Sequence, residues 1–177
     1  VNITLAAWNA ADESAAMEAM LACCGSKRWA QAMVAQRPIA SVWALSQAAD
    51  RVWGTMREPD WLEAFAFHPR IGERQPVLVT TRPSYRGAAR SSEWSQQEQS
   101  SAKAASELVL AELAADNELY AQRFGFTYIV CATGKSATEM LTILKQRLAN
   151  DRESELREAA EQQRQIMQIR LGKWLVE

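Results

Sequence analysis

Apolar positions recur with helical spacing along almost the whole chain. Met17, Met20, Leu21 and Cys24 follow the i, i+3, i+4, i+7 pattern of a helix that buries one face. Asp12 is placed to cap that helix and Gly25 to end it. Ser26 can then cap a helix carrying Trp29 and Met33, which stops before Pro38. Val42, Leu45, Ala49, Val52 and Trp53 form the next stripe, and a short helix is predicted from Pro59-Asp60 through Trp61, Leu62 and Phe65.

The pattern then changes. His68 stands directly before Pro69, whose ring crowds the preceding residue out of the α region. From Pro69 to about Ser91 the chain reads as one long loop, punctuated by Gly72, Pro76, Pro83 and Gly87. Loops of that length in compact domains are often functional or partly disordered. Helical spacing resumes at about Ser92 and runs to Ala115, and a separate short helix from Asn117 to Phe124 ends at Gly125. Phe126 to Ala132 is strand-like by propensity, but no second strand is present to pair with it. It is therefore expected to be an extended segment buried between helices. Ser136-Ala137-Thr138-Glu139 fits a capping box that starts a helix through Leu148, and a final long helix runs from about Asp151 to Trp174. The expectation is an all-α, single-domain bundle of about seven to nine helices spanning residues 1–177.

Composition narrows the function classes. The chain has 177 residues, enough for one domain with a real hydrophobic core. A net charge of −1 without a basic stripe argues against nucleic acid or an anionic membrane as partner. Cys23, Cys24 and Cys131 are an odd set with an adjacent pair, so they read as free thiols in a reducing compartment. With His68 as the one histidine and no C-x-x-C, a metal site is not expected. Val1 to Ala11 lacks a basic region ahead of an apolar run, and no stretch is apolar for long enough to span a bilayer, so the cytosol is the default expectation.

Three positions could carry chemistry. His68 can gain or lose a proton near neutrality and stands at a helix end beside a long loop, although most histidines in proteins are structural. Ser95-Gln96-Gln97-Glu98-Gln99 contains S-x-x-E. This reads either as a plain helix start or as a helix start whose amide groups, with Ser95 and Gln99, hold an anion. Arg170 lies on a partly apolar helix face with Ile166, Met167 and Trp174. There it needs an anionic partner, which is either a substrate carboxylate or an internal glutamate. Gly134-Lys135-Ser136 ends like a phosphate-binding loop. The full motif needs a glycine where Ile129 stands, so ATP and GTP are rejected.

Several stretches taken together resemble the 2-oxo-4-hydroxy-4-carboxy-5-ureidoimidazoline (OHCU) decarboxylase family. They are Cys23-Cys24-Gly25-Ser26 with Arg28-Trp29-Ala30, Arg37-Pro38, Phe67-His68-Pro69-Arg70-Ile71-Gly72 and Ser95 through Gln99. Further along come Asn117-Glu118-Leu119-Tyr120, Arg123-Phe124-Gly125-Phe126, Cys131-Ala132, Arg147-Leu148-Ala149-Asn150 and Ile169-Arg170-Leu171. The histidine-proline motif, the downstream Glu-Gln pair and the Phe-Gly-Phe segment are the specific parts. Thr127 and Thr133 depart from the family pattern, standing where a proline and a basic residue are common. The loop between His68 and Ser95 is longer than in some relatives.

The resemblance implies an all-helical homodimer without a cofactor, which decarboxylates an unstable ureidoimidazoline carboxylate to (S)-allantoin in urate degradation. It implies His68, Glu98 and Arg170 as catalytic residues. Pro69, Ser95, Gln99, Tyr128, Ile129, Val130, Cys131 and Ala132 would line the substrate. Decarboxylation leaves an electron pair on carbon, and here a ring C=N bond beside that carbon can accept it, so no cofactor is needed as a sink. Glu98 and His68 would hold the hydroxyl and carboxylate region, with Glu98 also keeping His68 protonated. Arg170 and backbone N–H groups of residues 128–132 would stabilise developing charge, and His68 or a water it orients would deliver the proton. A competing expectation is a non-catalytic helical interaction module, in which the positions 68 and 170 lie far apart and no pocket encloses them. A hydrolase of a related ureide is a third, less suited to a chain with one histidine.

Overall fold

The computed structural model describes residues 2–72, 88–98 and 106–177. Within them are α1 (Ile3–Ala10), α2 (Glu13–Cys23), α3 (Lys27–Val34), α4 (Val42–Trp53), α5 (Glu58–Phe65), α6 (Ala88–Glu98), α7 (Glu107–Phe124), α8 (Ala137–Arg147) and α9 (Arg152–Trp174), and no strand. The all-α architecture thus follows the sequence pattern.

Helix starts are written in local chemistry. Asp12, Ser26, Ser136 and Asp151 each accept a hydrogen bond from a backbone N–H of the first turn, satisfying donors that have no partner inside the helix. The box at Ser136 and Glu139 closes in both directions. Gly125 takes φ +80 and returns its N–H to Ala121, a left-handed stop that residues with a Cβ adopt only with strain.

Four details differ from the pattern. α1 is an additional helix, capped by Asn2. The break expected near Asn117 is missing, and α7 runs unbroken from Glu107 after a cap by Ser106. Asn117 is tolerated inside it because its amide donates to the carbonyls of Leu113 and Ile71, at 2.8 and 3.2 Å. Finally, α6 already begins at Ala88, so the expected loop is shorter at its far end and Ser95 is not a helix start. The rest of the loop, residues 73–87, lies outside the described residues.

α9 is the structural spine and packs against α2, α4, α5 and α7. Its buried stripe includes Ala159, Ala160, Gln163, Ile166, Met167, Arg170, Leu171 and Trp174. Three core tryptophans place their indole N–H groups on backbone carbonyls, whereas the buried N–H of Trp61 has no partner among the described residues. Trp8 donates to the Ala16 carbonyl, Trp29 to that of Ala49 and Trp53 to that of Ala160. Gly25, expected as a helix stop, has a different role. A Cβ there would come within 2.2 Å of the Phe67 ring, so the α2–α3 turn is the seat on which residue 67 rests.

Candidate active site

His68 is placed by the end of α5. Its N–H bonds to the Phe65 carbonyl at 3.1 Å, and the neighbouring Phe67 is clamped against Gly25. Pro69 then turns the chain away. The imidazole Nε2 lies 2.7 Å from Oε1 of Gln163, which is fully buried on α9.

Glu98 is in the last turn of α6, and its carboxylate is met by Arg170 from α9. Nε and one terminal nitrogen of the guanidinium each donate to a separate Glu98 oxygen at 3.0 Å. The same guanidinium donates to Oγ of Ser91 at 3.1 Å and of Ser95 at 2.8 Å. Ser95 Oγ donates in turn to the Ser91 carbonyl. Arg170 is 1% exposed and Glu98 8%, so this is a buried, two-pronged ion pair with its remaining donors satisfied. Lys173, 3.8 Å from Glu98, is a second cation one turn further along α9.

The segment 126–132 is neither helix nor strand and is buried except at Thr127, in keeping with the expected segment between helices. Side chains hold it where a sheet would otherwise do so. Arg147 donates to the Ile129 carbonyl at 2.6 Å, and Gln162 accepts from the Cys131 N–H at 2.9 Å. Lys135 donates to the Cys131 carbonyl at 2.8 Å. Arg147 is itself fixed by Glu155, which also bonds Tyr120 and Asn150. Among the described residues, the N–H groups of Val130 and Ala132 find no protein acceptor. The Tyr128 phenol is pushed well above its ordinary range by burial and donates to the Met140 carbonyl, and the Cys131 thiol is likewise raised by burial.

These elements meet at a small, partly open cleft lined by His68, Pro69, Ile71, Ser95, Glu98, Tyr128, Ile129, Val130, Ala132 and Ile166. The geometry therefore brings most of the expected residues to one place. Arg170 stands behind Glu98 and does not line the cleft. Cys131 is spoken for through its backbone and is not in the lining, and Gln99 lies outside the described residues. Ser95 supplies a hydroxyl near the end of a helix and not amide groups at its start, which removes the anion site expected there. Sequence reasoning missed Ile71, Ser91, Ile166 and Gln163. The helical spacing 163, 166, 170 on α9 was the available signal, since it puts all three on the face that carries Arg170. Among the described residues no group of three or more His, Cys, Asp or Glu side chains is arranged to hold a metal ion.

The fold brings an imidazole and a buried carboxylate from distant parts of the chain to one small cleft, the arrangement of a candidate small-molecule site. The chain belongs to the OHCU decarboxylase family, whose model matches residues 9–172. The uric acid degradation bifunctional protein TTL of Arabidopsis thaliana is 40% identical over 152 residues, covering 85% of this chain and 44% of that protein. A uric acid degradation bifunctional protein of Bacillus sp. (strain TB-90) is 27% identical over 143 residues, covering 76% of this chain and 24% of that protein. The chain thus spans less than half the length of these curated relatives. A crystal structure of OHCU decarboxylase in the presence of (S)-allantoin superposes with a TM-score of 0.75 at 33% identity, covering 90% of this chain and 99% of that one. A crystal structure of (S)-allantoin synthase, 16% identical with a TM-score of 0.69, shares the fold. It covers 97% of this chain and 54% of that one.

Proposed function

We propose that this chain decarboxylates 2-oxo-4-hydroxy-4-carboxy-5-ureidoimidazoline to (S)-allantoin, using a ring imine of the substrate as its electron sink. The observation that carries this reading is the meeting of His68 and Glu98, which are far apart in sequence, on one small cleft.

The C–CO₂ bond breaks and its electron pair moves into the adjacent ring C=N, giving an aza-enolate. The ring nitrogen takes a proton, the former imine carbon that bears the ureido group takes another on one face, and the hydroxyl on the carbon that lost CO₂ gives up its own as that carbon becomes the ring carbonyl, so one proton is consumed overall. Glu98, oriented through both oxygens by Arg170, accepts a hydrogen bond from the substrate hydroxyl and keeps the departing carboxylate perpendicular to the ring. The unpaired N–H groups of Val130 and Ala132 point to a place for ring oxygens as negative charge develops. His68, or a water it orients, delivers the proton to one face. Arg170 acts through Glu98 in this reading and is a positioning residue. No helix of the described residues is long and apolar enough to cross a membrane. A cytoplasmic homodimer belongs to the same proposal, and sedimentation of the isolated chain tests the dimer.

The test uses freshly generated intermediates of urate oxidation. CO₂ release is followed together with the circular dichroism of the allantoin formed. The wild-type chain should release CO₂, not ammonia, and yield the S enantiomer faster than the spontaneous reaction. His68→Asn should remove most of that acceleration while remaining folded. Near-wild-type formation of (S)-allantoin by the folded variant would refute the role of His68.

A further inference from the structure

We infer that Gln163 is a positioning residue that fixes the tautomer of His68, holding a proton on Nε2 so that Nδ1 is the nitrogen at which a proton is gained and lost. The observation is geometric. Oε1 of Gln163 lies 2.7 Å from His68 Nε2, and an amide oxygen can only accept, so Nε2 carries hydrogen in the neutral and in the charged imidazole. The position is also one where glutamine is costly. Gln163 is fully buried on α9, flanked in the stripe by the apolar Ala159, Ala160, Ile166 and Met167, and its Nε2 has no partner among the described residues. A leucine would pack there without an orphaned donor. The bond to His68 is the one hydrogen bond its side chain makes, so the imidazole is the physical reason for a buried amide at 163.

The arrangement fits the rest of the pocket. Gln163 holds the ring from the α9 side through a neutral group. The described titratable groups at the same cleft are Glu98 on α6, ion-paired with Arg170 and Lys173 of α9, and the Tyr128 phenol, which burial keeps neutral. Arg70, two residues on, is paired with Glu118 of α7 at 2.8 Å. An amide oxygen stabilises the imidazolium without adding a second negative charge beside a substrate that must lose a carboxylate. The catalytic consequence rests on the decarboxylase reading, whereas the tautomer does not.

His68 is the one histidine among 177 residues, so a two-bond ¹H–¹⁵N spectrum of the tag-free, ¹⁵N-labelled chain contains a single imidazole. The expected wild-type neutral form carries its hydrogen on Nε2. In Gln163→Leu the tautomers should mix and the titration midpoint should fall by roughly one pH unit, while Gln163→Glu should raise it by a similar amount. The pH profile of kcat should move in the same direction in each variant, with KM little changed. A wild-type imidazole protonated on Nδ1 in its neutral form would overturn the inference. So would a folded Gln163→Leu chain whose tautomer and midpoint match the wild type. If Gln163→Leu does not fold, the wild-type spectrum alone decides. If the chain proves inactive on the ureidoimidazoline, the spectra still decide the tautomer, so the two readings fail separately.

Discussion

Replacing Arg170 by methionine should cost about 3–5 kcal/mol of stability, because it strands a buried carboxylate. The guanidinium makes two hydrogen bonds to Glu98 and one each to Ser91 and Ser95, in a place where Arg170 is 1% and Glu98 8% exposed. In Arg170→Met the cation left to Glu98 is Lys173, at 3.8 Å and 30% exposed, which neutralises it only in part. Against a total stability of about 5–15 kcal/mol, the loss is a large fraction of the whole. The companion variant Glu98→Leu/Arg170→Met removes both charges. Ser95 keeps its bond to the Ser91 carbonyl, and Lys173 can swing to solvent. Exchanging a buried ion pair for apolar side chains is generally neutral or stabilising by about 1–4 kcal/mol, so the double variant should be far more stable than either single one. Urea unfolding followed by tryptophan fluorescence gives both numbers, and equal slopes confirm that the same surface is exposed. The decarboxylase reading adds that the double variant is folded and inactive. The reasoning is refuted if Arg170→Met costs less than about 1 kcal/mol, or if the double variant is no more stable than Arg170→Met.

The other expectations are quicker to check. Gly25→Ala would push a methyl to within 2.2 Å of the Phe67 ring, so it should cost about 1–3 kcal/mol and lower activity by displacing His68, as read from thermal unfolding and initial rates. Tyr120→Phe leaves Glu155 and Arg147 with one partner fewer, and a loss of about 1–3 kcal/mol in urea is expected without a change in the cleft residues. Alkaline pH should destabilise the chain. Burial holds Cys24 up to about 12 and pushes Cys23, Tyr120 and Tyr128 up from their ordinary values, so above about pH 9 the unfolded chain loses protons that the folded chain keeps. Each such group removes about 1.4 kcal/mol per pH unit between its two values, and a flat stability from pH 8 to 11 would contradict it.

Much of the molecule was legible in the chain because its information is local. Asp12, Ser26, Ser136 and Asp151 cap helices through bonds that span three residues, and Gly125 stops one through its own dihedral angle. Such features need no knowledge of the fold. The segment 126–132 was legible for the same reason, as an apolar run with nothing to pair with. Where the reading failed, tertiary contacts outweighed local propensity. Ser95-x-x-Glu98 looks like a helix start, yet α6 begins at Ala88, and the serine hydroxyl and the carboxylate serve a guanidinium some seventy residues away. Asn117 looks like a break, yet the carbonyl of Ile71 draws its amide into a continuous helix.

The sequence by itself determined the all-α class, most of the helices, the caps at Asp12, Ser26, Ser136 and Asp151, and the candidates at 68, 98 and 170, since spacing and side-chain type fix those. Only the tertiary structure decided their roles. Packing of α6 and α9 made Arg170 a support behind Glu98, the seat at Gly25 set Phe67 and hence His68, and burial on α9 joined Gln163 to the imidazole. The physical reason is that a long-range hydrogen bond or ion pair depends on which helix faces meet, and that is a property of the packed whole.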